Sequence, residues 1–286
     1  MVSTTTTTTK TDSGKSVRTE CTGEALDTVK KHERDEDLTL FGACFSPFVQ
    51  RVWVALEVFE FPYKVGEVDL IKRPRDSALL EISPKGLVPA LKLNNFNPPK
   101  SLNESTVILE YINDLAETTM GKSLLPPATN PYARALVRLQ CHHINHSILP
   151  AYYRYLQAQD QEVQISTGKE YHESINEVAD AAGQGEKKTL AVGLGLWIDG
   201  NEDIGLADVM VGPWLYRSTT VLKYYRGFEL PEGRKFNNWL HKLLNHPVFK
   251  KTNSTDDLYL ESNEGNAFNR SSSQITKAVN SGRELP

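Results

Sequence analysis

The stretch Leu38 to Leu56, LTLFGACFSPFVQRVWVAL, decides how the rest of the chain is read. Its first four residues alternate and favour β structure, Gly42 and Ala43 loosen the chain, and Ser46-Pro47 marks a helix start. Serine belongs at the N-cap, where its oxygen accepts an orphan amide hydrogen of the first turn. Proline belongs at the next position, since it lacks the donor that would go unsatisfied there and has its φ preset for helix. Beyond it Phe48, Val49, Val52, Ala55 and Leu56 recur at helical spacing. A strand feeding a helix through so short a loop sets Ser46 where the positive end of the helix favours an anion. A thiol held there falls below its ordinary value of about 8.5 and becomes a thiolate near neutral pH. The serine hydroxyl could hydrogen-bond that sulfur. Ser-Pro by itself is also an ordinary helix cap, so its meaning depends on what accompanies it.

At 286 residues and 39% hydrophobic content the chain is long enough for two cores, and two domains are expected. A formal net charge of -4 with no long basic run excludes nucleic acid as an expected partner. Cys21, Cys44 and Cys141 are odd in number and widely spaced, with no C-x-x-C pair. They form neither a disulfide framework nor a zinc site, so a reducing, cytoplasmic compartment is expected. No window approaches the roughly 18 apolar residues of a membrane helix, and no membrane association is expected. Met1 to Glu36 is Thr-rich, mixed in charge and poor in aromatics, and is read as a flexible polar leader over residues 1-36.

Downstream, Phe61-Pro62 ends the helical pattern and Tyr63 to Leu70 alternates as a second strand, completing a βαβ unit. Ser77 to Ile82 is a short helix, and Ser83-Pro84-Lys85-Gly86 turns the chain into an apolar strand, Leu87 to Leu93. Pro89 cannot supply a ladder hydrogen bond, so it implies an edge, a bulge or a cis bond. If Val88 turns its N–H and C=O outward, it can pair with an extended peptide as one more strand would. Glu104-Ser105 opens a further helical stripe of Val107, Ile108, Tyr111 and Ile112. There the Ser105 hydroxyl and first-turn amides can take a carboxylate and Glu104 an ammonium, although acid-then-serine is also an ordinary cap.

Residues 121-130 contain Pro126-Pro127 and Asn130-Pro131 and read as a linker. From Pro131 the chain turns helical: Ala133, Leu136, Val137, Cys141, Ile144 and Ile148 form one apolar stripe, with Pro150 as a kink or an end. His142, His143 and His146 are not read as a metal site, because no carboxylate lies at helpful spacing. Tyr171 to Gly183, Lys187 to Ile198 and Phe236 to Leu244 are further helices, and Gln274 to Asn280 a short one. A buried helix starts at Ile204-Gly205-Leu206-Ala207-Asp208-Val209. Asp208 can bond back to the cap residue's amide and Ile204 can pack on Val209. The cap residue is Gly205, however, and offers no oxygen in return. Beyond Asp256 the tail is polar and weakly patterned.

Together, Ser46-Pro47-Phe48-Val49-Gln50-Arg51-Val52, Lys85-Gly86-Leu87-Val88-Pro89-Ala90-Leu91 and Glu104-Ser105 resemble the active-site segment, the cis-proline segment and the γ-glutamyl clamp of cytosolic glutathione transferases. The resemblance spans most of 37-286 and is closest to the fungal omega-like group, which is also similar at 256-262 and 278-283. It implies an α/β thioredoxin-like N-terminal domain over 37-125 followed by an all-α C-terminal domain over 126-286. It further implies glutathione as co-substrate, no metal, and a homodimer. Ser46 would be catalytic, glutathione would contact Phe48, Lys85, Val88, Glu104 and Ser105, and a small apolar or aromatic electrophile would lie against Phe45, Tyr152 and Trp214. The chain departs from the omega pattern at the catalytic position, where cysteine is usual and Ser46 stands. A serine cannot form a mixed disulfide, but it can stabilise a glutathione thiolate for attack on an electrophile or a hydroperoxide. Three other readings stay open: a Cys44-dependent thiol transferase or deglutathionylase, a ligandin-type carrier of aromatic compounds, and a regulatory protein that keeps the fold without catalysis.

Overall fold

The computed structural model describes residues 8-10, 16-72, 75-180, 195-198 and 200-285. Two short strands, β1 (Thr8–Lys10) and β2 (Ser16–Arg18), pair antiparallel ahead of a helix, α1 (Gly23–Lys31). Next come β3 (Leu38–Gly42), α2 (Pro47–Phe59), β4 (Lys64–Glu67), α3 (Ser77–Ile82), β5 (Ala90–Leu93), β6 (Lys100–Asn103) and α4 (Ser105–Met120). Among the described residues that follow, the α-helices are α5 (Pro131–His143), α6 (Leu149–Gln157), α7 (Gln161–Asp180), α8 (Leu206–Arg217), α9 (Lys223–Arg226), α10 (Arg234–Asn245), α11 (Pro247–Lys250), α12 (Asp256–Ala267) and α13 (Gln274–Asn280). The chain divides into one unit of residues 1-122 with 246-262 and a second of 123-245 with 263-286. The thioredoxin-like α/β domain followed by helices is therefore the observed fold.

In the first unit the sheet runs β4-β3-β5-β6, with β3 parallel to β4 and antiparallel to β5, and β5 antiparallel to β6. Every residue of α2 from Val49 to Leu56 is buried, so this helix is covered on all sides and reads as apolar almost all round. Strand β5 begins at Ala90 rather than Leu87, because Pro89 has no N–H to give the ladder. Strand β4 is shorter than the expected Tyr63 to Leu70. Strand β6 was not expected at all: Lys100-Ser101-Leu102-Asn103 is an edge with its first two residues exposed and the next two half-buried, so it lacks the apolar signal of a central strand.

The flexible leader is corrected in its second half. Cys21, Ala25 and Thr28 are buried, and residues 18-32 are tied down along their length. The Arg18 guanidinium pairs with Asp257 and Glu261 at 2.6 Å each. Ala25 N–H donates to the Asn253 carbonyl, and Thr28 Oγ1 to that of Lys251. The His32 carbonyl accepts from Val65 N–H at 2.9 Å, and its ring stacks on Tyr63 with centroids 3.9 Å apart. Outer strand β4 thus finds a partner for Val65 in the leader. The stretch looked disordered because its order comes from long-range polar partners rather than a local apolar stripe. Residues 246-262, expected in the helical domain, supply those partners.

In the second unit Pro150 does not end the helix. The turn before it, Ile144–Ile148, widens to a π-helix and α6 continues with Pro150 in its first turn, since the ring cannot donate and would crowd the carbonyl four residues back. Helix α7 begins ten residues earlier than expected, with the Asp160 carboxylate accepting from the Glu162 and Val163 amides. Gly183-Gln184-Gly185 and most of the expected Lys187 to Ile198 helix lie outside the described residues. At α8 the Gly205 amide donates to Asp208 Oδ2 at 2.9 Å, and the reciprocal cap is missing as glycine requires. The same oxygen also accepts from Leu196 N–H at 2.9 Å, while Oδ1 accepts from Trp239 Nε1 at 2.8 Å. A Cβ on Gly205 would lie 2.7 Å from the Gly195 nitrogen, so the crossing chain leaves no room for a side-chain cap.

Candidate active site

The strand register brings the three motifs to one end of the sheet. Phe41, near the C-terminal end of β3, pairs with Ala90 at the start of β5, and Ala90 pairs with Asn103 at the end of β6. The loop leading to Ser46, the Val88-Pro89 dipeptide and the Glu104-Ser105 pair therefore leave the sheet side by side.

Ser46 is the N-cap of α2 with Pro47 behind it, and it is 9% exposed. Its Oγ accepts from Val49 N–H at 3.4 Å and its own N–H donates to the Ala43 carbonyl at 3.0 Å. With the oxygen engaged as acceptor, the hydroxyl hydrogen is left to donate outward. Phe45 and Phe48 flank it, both half-buried. The Val88–Pro89 peptide is cis. The Val88 side chain packs on the cluster of Leu79, Ile82 and Ala90. Lys85 is exposed on the preceding turn, which closes through the Gly86 amide on the Ser83 carbonyl at 2.7 Å. Gly86 there has φ +63°, a conformation that favours glycine.

Glu104 caps α4 with φ 69° and ψ 117° and does not use its carboxylate to do so. A non-glycine residue at such angles is strained by about 1–3 kcal/mol, and strain of this kind collects at ligand clamps. The side chain is exposed, while Ser105 beside it is buried. Ser105 Oγ accepts from Arg51 Nη1 at 3.4 Å. Sequence reasoning passed over Arg51, whose signal is a permanent cation within an otherwise apolar, buried helix.

Cys44 faces away from this arrangement. Its Sγ donates to the Arg18 carbonyl at 3.7 Å, and burial, with the Glu67 carboxylate nearby, pushes the thiol up to about 12. Cys21 is pushed up as well, by burial first and then by Glu67. Glu67 Oε1 accepts from Cys21 N–H at 2.7 Å, and burial raises its own carboxyl above the ordinary range.

Two of the expected electrophile contacts are corrected. Tyr152 is 1% and Trp214 0% exposed; both are interior side chains of the helical unit, and a fully enclosed ring offers no face to a ligand. Aromatic spacing could not distinguish core from wall. Among the described residues no group of three or more His, Cys, Asp or Glu side chains could hold a metal ion. None of their helices is long and apolar enough to cross a membrane.

Residues 40–120 match the family model for the glutathione S-transferase N-terminal domain. Glutathione S-transferase U1 of Arabidopsis thaliana is 30% identical over 215 residues, 74% of this chain and 86% of that protein. The crystal structure of glutathione transferase Omega 3C from Trametes versicolor superposes with a TM-score of 0.68 at 29% identity, covering 82% of this chain and 92% of that one. Rice GST1 in complex with glutathione has the same fold, with a TM-score of 0.65 at 23% identity over 80% of this chain and 96% of that one. With the motifs at one end of a thioredoxin-like sheet and a relative matched over most of its length, the chain belongs to the glutathione S-transferase family and is a glutathione transferase enzyme.

Proposed function

We propose that this transferase activates glutathione through Ser46, in the manner of a serine-type enzyme carried on a fungal omega-like frame. The single observation that carries this is the Ser46 cap. Its oxygen is held by Val49 N–H at the start of α2, so its hydroxyl hydrogen and the positive helix end both stabilise a thiolate brought there. Glutathione lies extended along Val88, with its γ-glutamyl end at Glu104 and Ser105, its glycyl end towards Lys85, and its sulfur between Ser46 and Phe48. The thiolate attacks a small apolar or aromatic electrophile beside Phe45, or reduces a hydroperoxide. The protein works as a cytoplasmic homodimer and needs no metal. The protonated Cys44 thiol, turned towards Arg18, supports the serine reading over a Cys44 thiol transferase.

Glutathione-dependent turnover of a chloronitrobenzene and an organic hydroperoxide tests the proposal. Ser46→Ala is expected to lose about tenfold or more in kcat/KM, ~1.4 kcal/mol of transition-state stabilisation, and Cys44→Ser to lose little. Loss in Cys44→Ser alone would transfer the chemistry to that thiol. Tight binding of aromatics by a wild type that turns nothing over would make the protein a carrier.

A further inference from the structure

We propose that Arg51 is a positioning residue for glutathione, acting through Ser105; the inference rests on the glutathione reading above. Arg51 rises from α2 and is 1% exposed. Its Nη1 reaches Ser105 Oγ in the first turn of α4 at 3.4 Å, and its Cζ lies 5.6 Å from the Phe48 ring centroid. A guanidinium can only donate, so this contact occupies a lone pair of the Ser105 oxygen. The Ser105 hydroxyl hydrogen is then left to point outward, more acidic for having a cation behind it.

That is the donor a carboxylate needs at the positive end of α4. Ser46 is treated the same way by Val49 N–H, so the two serines are each held from behind and present a hydrogen forward, one to the sulfur and one to the γ-glutamyl carboxylate. Arg51 also makes up part of α2 itself, between the two serines in sequence and one turn from Phe48. It therefore joins the sulfur end and the γ-glutamyl end of the site through one buried side chain. Arg51 acts through Ser105 on recognition of the γ-glutamyl group, and its effect falls on KM for glutathione rather than on kcat.

Steady-state kinetics with a chloronitrobenzene tests this, with glutathione or cysteinylglycine, which lacks the γ-glutamyl group, as the varied thiol. The proteins are wild type, Arg51→Met, Arg51→Lys, Ser105→Ala and each Arg51 variant in the Ser105→Ala background. Arg51→Met is expected to raise KM for glutathione about fivefold or more, with kcat within about twofold and KM for cysteinylglycine unchanged. Arg51→Lys, which keeps a cation, should recover part of the loss. In the Ser105→Ala background the Arg51 substitutions should shift KM by less than about twofold. Equal shifts for both thiols, or a full effect without the serine hydroxyl, would overturn the inference. If Arg51→Met does not fold, Arg51→Lys carries the same cycle, with a rise of about threefold expected for glutathione alone. Wild type that fails to saturate with glutathione refutes the functional reading itself. Wild type that prefers glutathione, with variants that keep the same preference, refutes only the role of Arg51.

Discussion

Two serines and a cysteine near this end of the sheet differ according to what surrounds each. Ser46 and Ser105 are engaged as acceptors and so present hydrogens, while Cys44 is half-buried, donates to the Arg18 carbonyl, and has its thiol pushed up to about 12 by desolvation and the Glu67 carboxylate. Cys44 should therefore resist alkylation by iodoacetamide at pH 7.5 in the native protein and react only on unfolding, which mass spectrometry of the labelled peptide would show. Rapid native labelling would contradict the raised thiol. Glu67 makes a pH prediction. Its folded value is raised by burial, so above the ordinary carboxylate value of about 4.3 the native state holds its proton more tightly than the unfolded chain. Stability contributed there falls as pH rises. Glu67→Gln keeps an oxygen for the Cys21 amide, and it should stabilise the protein in urea at pH 8 with the gain vanishing near pH 4.

Among the elements, the start of α8 holds half of a capping box, with no side chain at the cap residue itself. Asp208 accepts from the Gly205 and Leu196 amides and from Trp239 Nε1. Asp208→Ala would leave those three donors unpaired in the interior and is expected to cost about 3 kcal/mol or more in denaturant unfolding. Gly205→Ser supplies the hydroxyl that a capping box wants, yet its Cβ would press on the Gly195 nitrogen. A loss of about 1–3 kcal/mol is expected rather than a gain; a stabilised variant would mean that the 195-196 chain moves aside freely. The glycine was plain in the sequence, but the reason for it was not, because the obstructing chain comes from ten residues upstream.

On the scale of the whole chain, the first unit is discontinuous: residues 246-262 return to it, and the leader is bound to that returning segment through Arg18, Thr22, Ala25 and Thr28. Arg18 stands at one end of this seam, half-buried itself and pairing with two exposed carboxylates. Arg18→Gln should lower the thermal midpoint by an amount corresponding to about 1 kcal/mol at low salt, and the difference should shrink in 1 M NaCl. An effect indifferent to salt would place the stabilisation in packing rather than charge.

The fold class was legible in the sequence because its signals are local: the Ser46-Pro47 cap, the Val88-Pro89 pair, Glu104-Ser105, and the helical stripes from Pro131 onward. Helices α3 and α13 span the expected residues, Ser77–Ile82 and Gln274–Asn280. What only the tertiary structure decided depends on residues far apart in the chain. Strand β6 exists because β5 offers it an edge. Residues 18-32 of the leader are held because 246-262 comes back to meet them, Tyr152 and Trp214 are interior because neighbouring helices close over them, and Arg51 meets a serine hydroxyl because α4 sets Ser105 against it. Local propensity is written in neighbouring residues. Burial and long-range polar pairing arise only when the chain closes on itself, and they decide which side chains face a ligand.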